Sequence, residues 1–133
     1  MKHSIKHFID GEFVESKSEE RFDILTPTTN QVIGHAASGQ AEDIAAAVAT
    51  AKKAFDGGAW SHMPVLDRAK KIRHIGDLIL KHAEEIAELE IEDTGIPRRQ
   101  ITKGAIPRAA ENFYFFADQL KSLSGKSYVI DDT

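Results

Sequence analysis

The segment Ile106-Pro107-Arg108-Ala109-Ala110-Glu111-Asn112-Phe113-Tyr114-Phe115-Phe116-Ala117-Asp118 sets the packing problem of this chain. Its pattern is helical, and four consecutive aromatic residues on a helix point in four directions separated by roughly 100°. No single face buries them all, so the segment needs cover on several sides. Gly104 and Pro107 interrupt the pattern upstream, and Pro107 disfavours helix at Ile106. The expected layout is a turn and a half up to Lys103, then a main helix from about Ala105 to Leu123.

Working outward, Leu66, Ala69, Ile72, Ile75, Ile79, Ala83, Ile86 and Ile91 recur at helical spacing. Pro64 suits the start of this helix, and Gly95 followed by Pro97 ends it. Left straight, it would run about 45 Å at 1.5 Å per residue. A domain of this length measures about 36 Å across, from a radius of gyration of about 14 Å. Either the helix breaks near His82 or the chain is not compact by itself. Before it, Ile44, Val48, Ala51 and Phe55 form one helical stripe that starts after Gln40 and stops at Gly57-Gly58. Glu42 and Asp43 suit the positive end of that helix dipole, and Lys52 and Lys53 the negative end. Ala46, Ala47 and Ala49 make the other face suited to a second close neighbour.

The N-terminal third reads as strands. Asp10-Gly11 is a type I′ turn dipeptide between Phe8-Ile9 and Phe13-Val14, which predicts a β-hairpin. Glu15 to Arg21 reads as a solvated connection. Phe22 to Leu25 is a strand stopped by the turn Thr26-Pro27-Thr28-Thr29-Asn30, and Gln31 to Ala36 is its return. Tyr128 to Ile130 has strand character with nothing following it to pair with. The picture is of helices and edge strands without the central sheet they would cover, the first part of something larger.

Composition narrows the function classes. The chain has 133 residues, one domain's worth, with 17 basic and 21 acidic side chains and a net charge of -4. That balance opposes a nucleic-acid partner or an anionic membrane surface, both of which select clustered Lys and Arg. No apolar run is long enough to span a bilayer, and the opening residues lack a signal-peptide pattern, so a cytoplasmic address is expected. There is no cysteine, which excludes a disulfide, a thiolate metal site and a Cys nucleophile within these residues. The six histidines show no metal-ligand spacing. No Gly-x-Gly-x-x-Gly follows a strand, so no dinucleotide fingerprint is present.

From Phe8 to Thr133 the chain resembles the N-terminal region of the aldehyde dehydrogenase superfamily. The resemblance is carried by Phe8-Ile9-Asp10-Gly11-Glu12-Phe13-Val14, by Thr26-Pro27-Thr28-Thr29 with Gln31-Val32-Ile33-Gly34, and by Ala41-Glu42-Asp43. Trp60-Ser61, Arg68 and Leu89-Glu90-Ile91-Glu92-Asp93-Thr94-Gly95-Ile96-Pro97 complete the series. The segment from Ile106 to Asp118 is similar to the branch that oxidises muconate-type semialdehydes, such as 5-carboxymethyl-2-hydroxymuconate semialdehyde. The fold implied is α/β, present here only as its N-terminal part: short antiparallel strands and a hairpin followed by three helical regions. Residues 1–133 would be the N-terminal part of the NAD-binding domain, ending at the start of an oligomerisation arm, with the catalytic domain absent. The implied reaction passes through a Cys thiohemiacetal, hydride transfer to NAD or NADP, and hydrolysis by a Glu-activated water. The catalytic Cys and Glu lie beyond Thr133 in such proteins. This chain alone is therefore expected to be inactive and to hold no cofactor, while the complete enzyme would take a small aldehyde and form a homo-oligomer.

The resemblance also assigns candidate site residues. Arg108 would clamp a substrate carboxylate bidentately, with Asn112 one turn on sharing its face. The alternative for Arg108 is a surface salt bridge to Glu111 or Asp118. Leu25 and Asp93 match positions that supply a carbonyl and a carboxylate to a monovalent cation site in some members. The alternative there is a helix-terminal Asp bonding nearby amides. A non-catalytic helical module derived from the family is the rival reading, motivated by the apolar surface around Phe113 to Phe116 and the alanine-rich face near Ala46.

Overall fold

The computed structural model describes residues 3–125, 127 and 128. Its order is β1 (His3–Ile5), β2 (His7–Ile9), β3 (Glu12–Val14), β4 (Arg21–Leu25), β5 (Val32–Ala37), α1 (Ala41–Asp56), α2 (Val65–Lys81), α3 (Ala83–Thr94), α4 (Arg98–Gln100), a π-helical turn (Ile101–Ala105) and α5 (Ile106–Ser122).

The strands make two small sheets. β2 and β3 form the expected hairpin, with His7 opposite Val14 and Ile9 opposite Glu12. Asp10 (φ 57°) and Gly11 (φ 82°) both take the positive φ that a type I′ turn requires. The second sheet has the order β1-β5-β4. β4 and β5 pair antiparallel, as the turn at Thr26 to Asn30 predicts, and Asn30 adopts φ 59° there. β1 corrects the expectation of purely antiparallel strands: it lies parallel to β5, with His3 opposite Gly34. Parallel neighbours are joined through intervening elements, so no short-range turn signal announces them.

The long helical pattern after Pro64 does break at His82, which takes φ -101° and ψ 21° between α2 and α3. Gly95, left-handed at φ 71°, caps α3. The region after Pro97 departs from expectation. Ile106 is helical (φ -65°, ψ -51°) despite the following proline, so the main helix starts at Ile106 and continues directly from the turn before it. That turn is π-helical. Proline lacks the N–H that a normal helical turn needs and its ring crowds the preceding turn. The wider π turn absorbs both, and the helix bulges where a break was expected.

α2 and α5 form the principal helix pair. Their seam is built from small residues seven apart, Ala69 and Gly76 on one helix and Ala110 and Ala117 on the other, all buried. A second cluster gathers Ala87, Ile101 and Ile106, with Ile79, Ala83, Ile86, Ile91 and Ile96 against it. By contrast α1 packs mainly on β2, and its stripe residues Ile44, Val48 and Phe55 are exposed. Tyr128 is exposed; Val129 and Ile130, the rest of the expected last strand, lie outside the described residues.

Candidate functional site

α5 divides its aromatic run as helical geometry demands. Phe113 and Tyr114 are half-buried, whereas Phe115 and Phe116 are exposed and meet edge to face at 5.3 Å. Tyr114 is fixed against α2: its hydroxyl donates to Asp77 Oδ1 at 2.8 Å, and the Arg73 guanidinium lies 5.0 Å from its ring centre. The bond to Asp77 holds the Tyr114 hydroxyl above its ordinary pKa, because ionised Tyr would lose that donor and face a carboxylate. Asp118 accepts from Lys121 Nζ at 2.9 Å and from Arg73 Nη2 at 2.8 Å, and these two cations hold its carboxyl below the ordinary range.

These contacts decide what happens to Arg108. The buried residues Ile106, Ala110 and Ala117 face inward, and Arg108 lies on the opposite, exposed side together with Asn112. Asp118 is engaged by Arg73 and Lys121, and Arg108 forms no ion pair among the described residues, with Glu111 or with any other acid. Four residues apart on one helix, Arg108 and Asn112 present a guanidinium and an amide to the same space. Phe115 and Gln119, both exposed, extend that stripe by two turns. The 3.6-residue period that joins Arg108 to Asn112 runs on to both.

The second pair is less closely joined. Asp93, exposed near the end of α3, lines a cavity of about 240 Å³ with His3, Ile5, Ile24, Ile33, Leu89 and Glu92. His3 Nε2 and Glu92 Oε2 stand 2.9 Å apart at its rim. Leu25 follows Ile24 on β4 and flanks this cavity without lining it. The helix C-terminus beside Asp93 favours a cation. Among the described residues no group of three or more His, Cys, Asp or Glu side chains could hold a metal ion.

A dinucleotide does not fit the described residues. A pyrophosphate needs glycine-rich backbone N–H groups at a helix N-terminus after a strand. The glycines with positive φ here are Gly11 in the hairpin turn, Gly58 after α1 and Gly95 closing α3, and the last two lie at the anion-repelling ends of helices. No described helix is long and apolar enough to cross a membrane.

Strands and helices of this kind, with apolar faces left outward, define a portion of a larger α/β architecture. The aldehyde dehydrogenase family profile matches residues 13–133, and the chain belongs to that family. It is 41% identical over 128 residues to 5-carboxymethyl-2-hydroxymuconate semialdehyde dehydrogenase of Escherichia coli, covering 96% of this chain and 26% of that protein. It is 40% identical over 126 residues to the mitochondrial benzaldehyde dehydrogenase of Antirrhinum majus, covering 95% of this chain and 24% of that one. Among solved structures, indole-3-acetaldehyde dehydrogenase complexed with NAD+ superposes with a TM-score of 0.91 at 30% identity, over 98% of this chain and 26% of that one. The chain thus spans about a quarter of the length of the curated relatives it matches.

Proposed function

We propose that this chain is the N-terminal part of the NAD-binding domain of an aldehyde dehydrogenase whose complete form oxidises a carboxylated, muconate-type semialdehyde to its acid. NAD or NADP is the acceptor in that reading, held outside these residues, and the thiolate nucleophile is supplied outside them too, since the chain has no cysteine. The complete protein is read as a cytoplasmic homo-oligomer. The observation that supports the substrate class is Arg108, exposed on α5 without an acidic partner among the described residues and beside Asn112. A guanidinium left unpaired in this way is available for bidentate contact with a carboxylate. Leu25 and Asp93 are read as contributors to a monovalent cation site beside the 240 Å³ cavity; potassium binding by the complete protein, lost in Asp93→Asn, tests that part.

Arg108→Ala in the full-length protein tests the substrate reading. A charge-assisted bidentate contact is worth about 1.5–3 kcal/mol, so kcat/KM for a carboxylated aldehyde should fall roughly ten- to a hundredfold. Activity on a neutral aldehyde of similar size should hardly change. Equal losses on both substrates would remove carboxylate recognition. The exposed apolar residues of α1 and α5 favour a second reading, a non-catalytic module that associates with itself or with a dehydrogenase. Light scattering on the chain separates the two, since a strictly monomeric chain opposes self-association.

A further inference from the structure

His7 has no part in the site described above, yet its surroundings are specific. Its Nε2 is buried from solvent without a hydrogen-bond partner, 3.9 Å from Asp43 Oδ2. Its Cε1 lies against Gly39, where an added Cβ would come to 3.4 Å. Ile44 and Ala47 of α1 and Gly39 share a cavity of about 230 Å³ with it. Asp43 is the charged group facing it from α1; the connection after β3 offers the Ser16 hydroxyl and the Lys17 backbone N–H to that same carboxylate, and β3 offers the apolar Val14 opposite. The charged neighbours on either side are paired with each other, Lys6 with Glu15 at 3.1 Å and Lys17 with Glu42 at 3.8 Å.

We propose that His7 is a proton-operated latch between the β2–β3 hairpin and α1, its ring gaining an ionic partner in Asp43 when it is protonated. An uncharged ring at 3.9 Å is beyond hydrogen-bond distance and leaves its buried nitrogen unsatisfied, which costs stability. A proton on the ring converts the same geometry into an ion pair with a carboxylate that is 6% exposed. That carboxylate is available as an anion, because hydrogen bonds from Gln40 N–H, the Ser16 hydroxyl and Lys17 N–H hold its pKa at about 2. Since α1 packs mainly on β2, tightening this one contact tightens the docking of the whole helix.

Amide hydrogen exchange of the full chain at pH 8 and pH 5.5, corrected for intrinsic rates, tests the latch. Protection of residues 7–14 and of the first turns of α1 should rise about threefold at the lower pH, the size of effect a partly exposed ion pair carries. In His7→Gln the rise should vanish. His7→Phe, which keeps a ring against Gly39 and cannot take a proton, guards against a variant that merely loosens the hairpin, and it should also show no rise. No rise in the wild type, or the same rise in both variants, overturns the proposal.

Discussion

At Asp43, one carboxylate ties a helix start to a distant loop. Its Oδ2 accepts from Gln40 N–H at 3.0 Å, capping α1, and from the Ser16 hydroxyl at 2.7 Å, while Oδ1 accepts from Lys17 N–H at 3.1 Å. Ser16 is consequently buried, although its charged neighbours make the Glu15 to Arg21 stretch read as wholly solvated. Charge along the sequence marks the connection but cannot reveal which small residue turns inward. The Asp43 carboxyl is held at about 2, against an ordinary 3.8, chiefly by the Gln40 amide and then by Ser16 and Lys17. The depressed value belongs to the folded state, so the stabilisation is complete above pH 3.8 and is lost as pH falls from there towards 2. Helical circular dichroism followed from pH 5 to pH 2 should show a loss in that window. Asp43→Asn should be less stable at pH 7 and should lack this component; an unchanged acid transition in the variant would place the loss on other carboxylates.

Between elements, the α2–α5 pair shows what small residues accomplish. A Cβ on Gly76 would stand 2.6 Å from Tyr114 Cε1 and 3.0 Å from the Ala110 carbonyl oxygen. Tyr114 is pinned by Asp77 and Arg73, so its ring cannot simply rotate away. Gly76→Ala should therefore overpack the seam at a cost of about 1–3 kcal/mol. Over most of that range the cost exceeds the roughly 1 kcal/mol that alanine gains over glycine in a helix interior. Thermal unfolding should report a lower Tm, and a raised Tm would mean that the helices separate freely. Much at this scale was legible: the hairpin at Asp10-Gly11 and the cap at Gly95 each rest on a residue whose backbone preference acts within one turn, and the break at His82 answers a straight helix longer than a domain of this size is wide. The parallel pairing of β1 with β5 and the π turn ahead of Pro107 were not legible. The first depends on chain brought back from about thirty residues away, and the second on how a helix yields around a missing N–H. The same division holds at the candidate site. The i, i+4 spacing places Arg108 and Asn112 on one face, but only the placement of Arg73 and Lys121 shows that Asp118 is already engaged elsewhere.

Over the whole molecule the apolar faces outnumber their partners. The surface is 10297 Å², whereas a folded monomer of 14.7 kDa exposes about 6,900 Å². The excess is not spread evenly. Phe8 and Phe13 on the hairpin, Ile44, Val48 and Phe55 on α1, and Phe115 and Phe116 on α5 are all more than half exposed. The α1 group recurs at a helical period as regular as the pattern that made the buried seam, whereas Phe115 and Phe116 are adjacent and point about 100° apart. A stripe of helical period that meets nothing among the described residues is ordinarily buried against another surface. On that basis the isolated 133-residue chain should bind a hydrophobic reporter dye strongly while keeping native-like helical circular dichroism. Exchanging Ile44, Val48 and Phe55 together for Gln and Ser should remove a sizeable share of the dye signal and leave helicity largely intact, because α1 draws its start from the Asp43 cap and not from those side chains. Loss of helicity in the triple variant would instead mean that the stripe folds back on this chain in solution, and weak dye binding by the unaltered chain would mean that the faces are already satisfied.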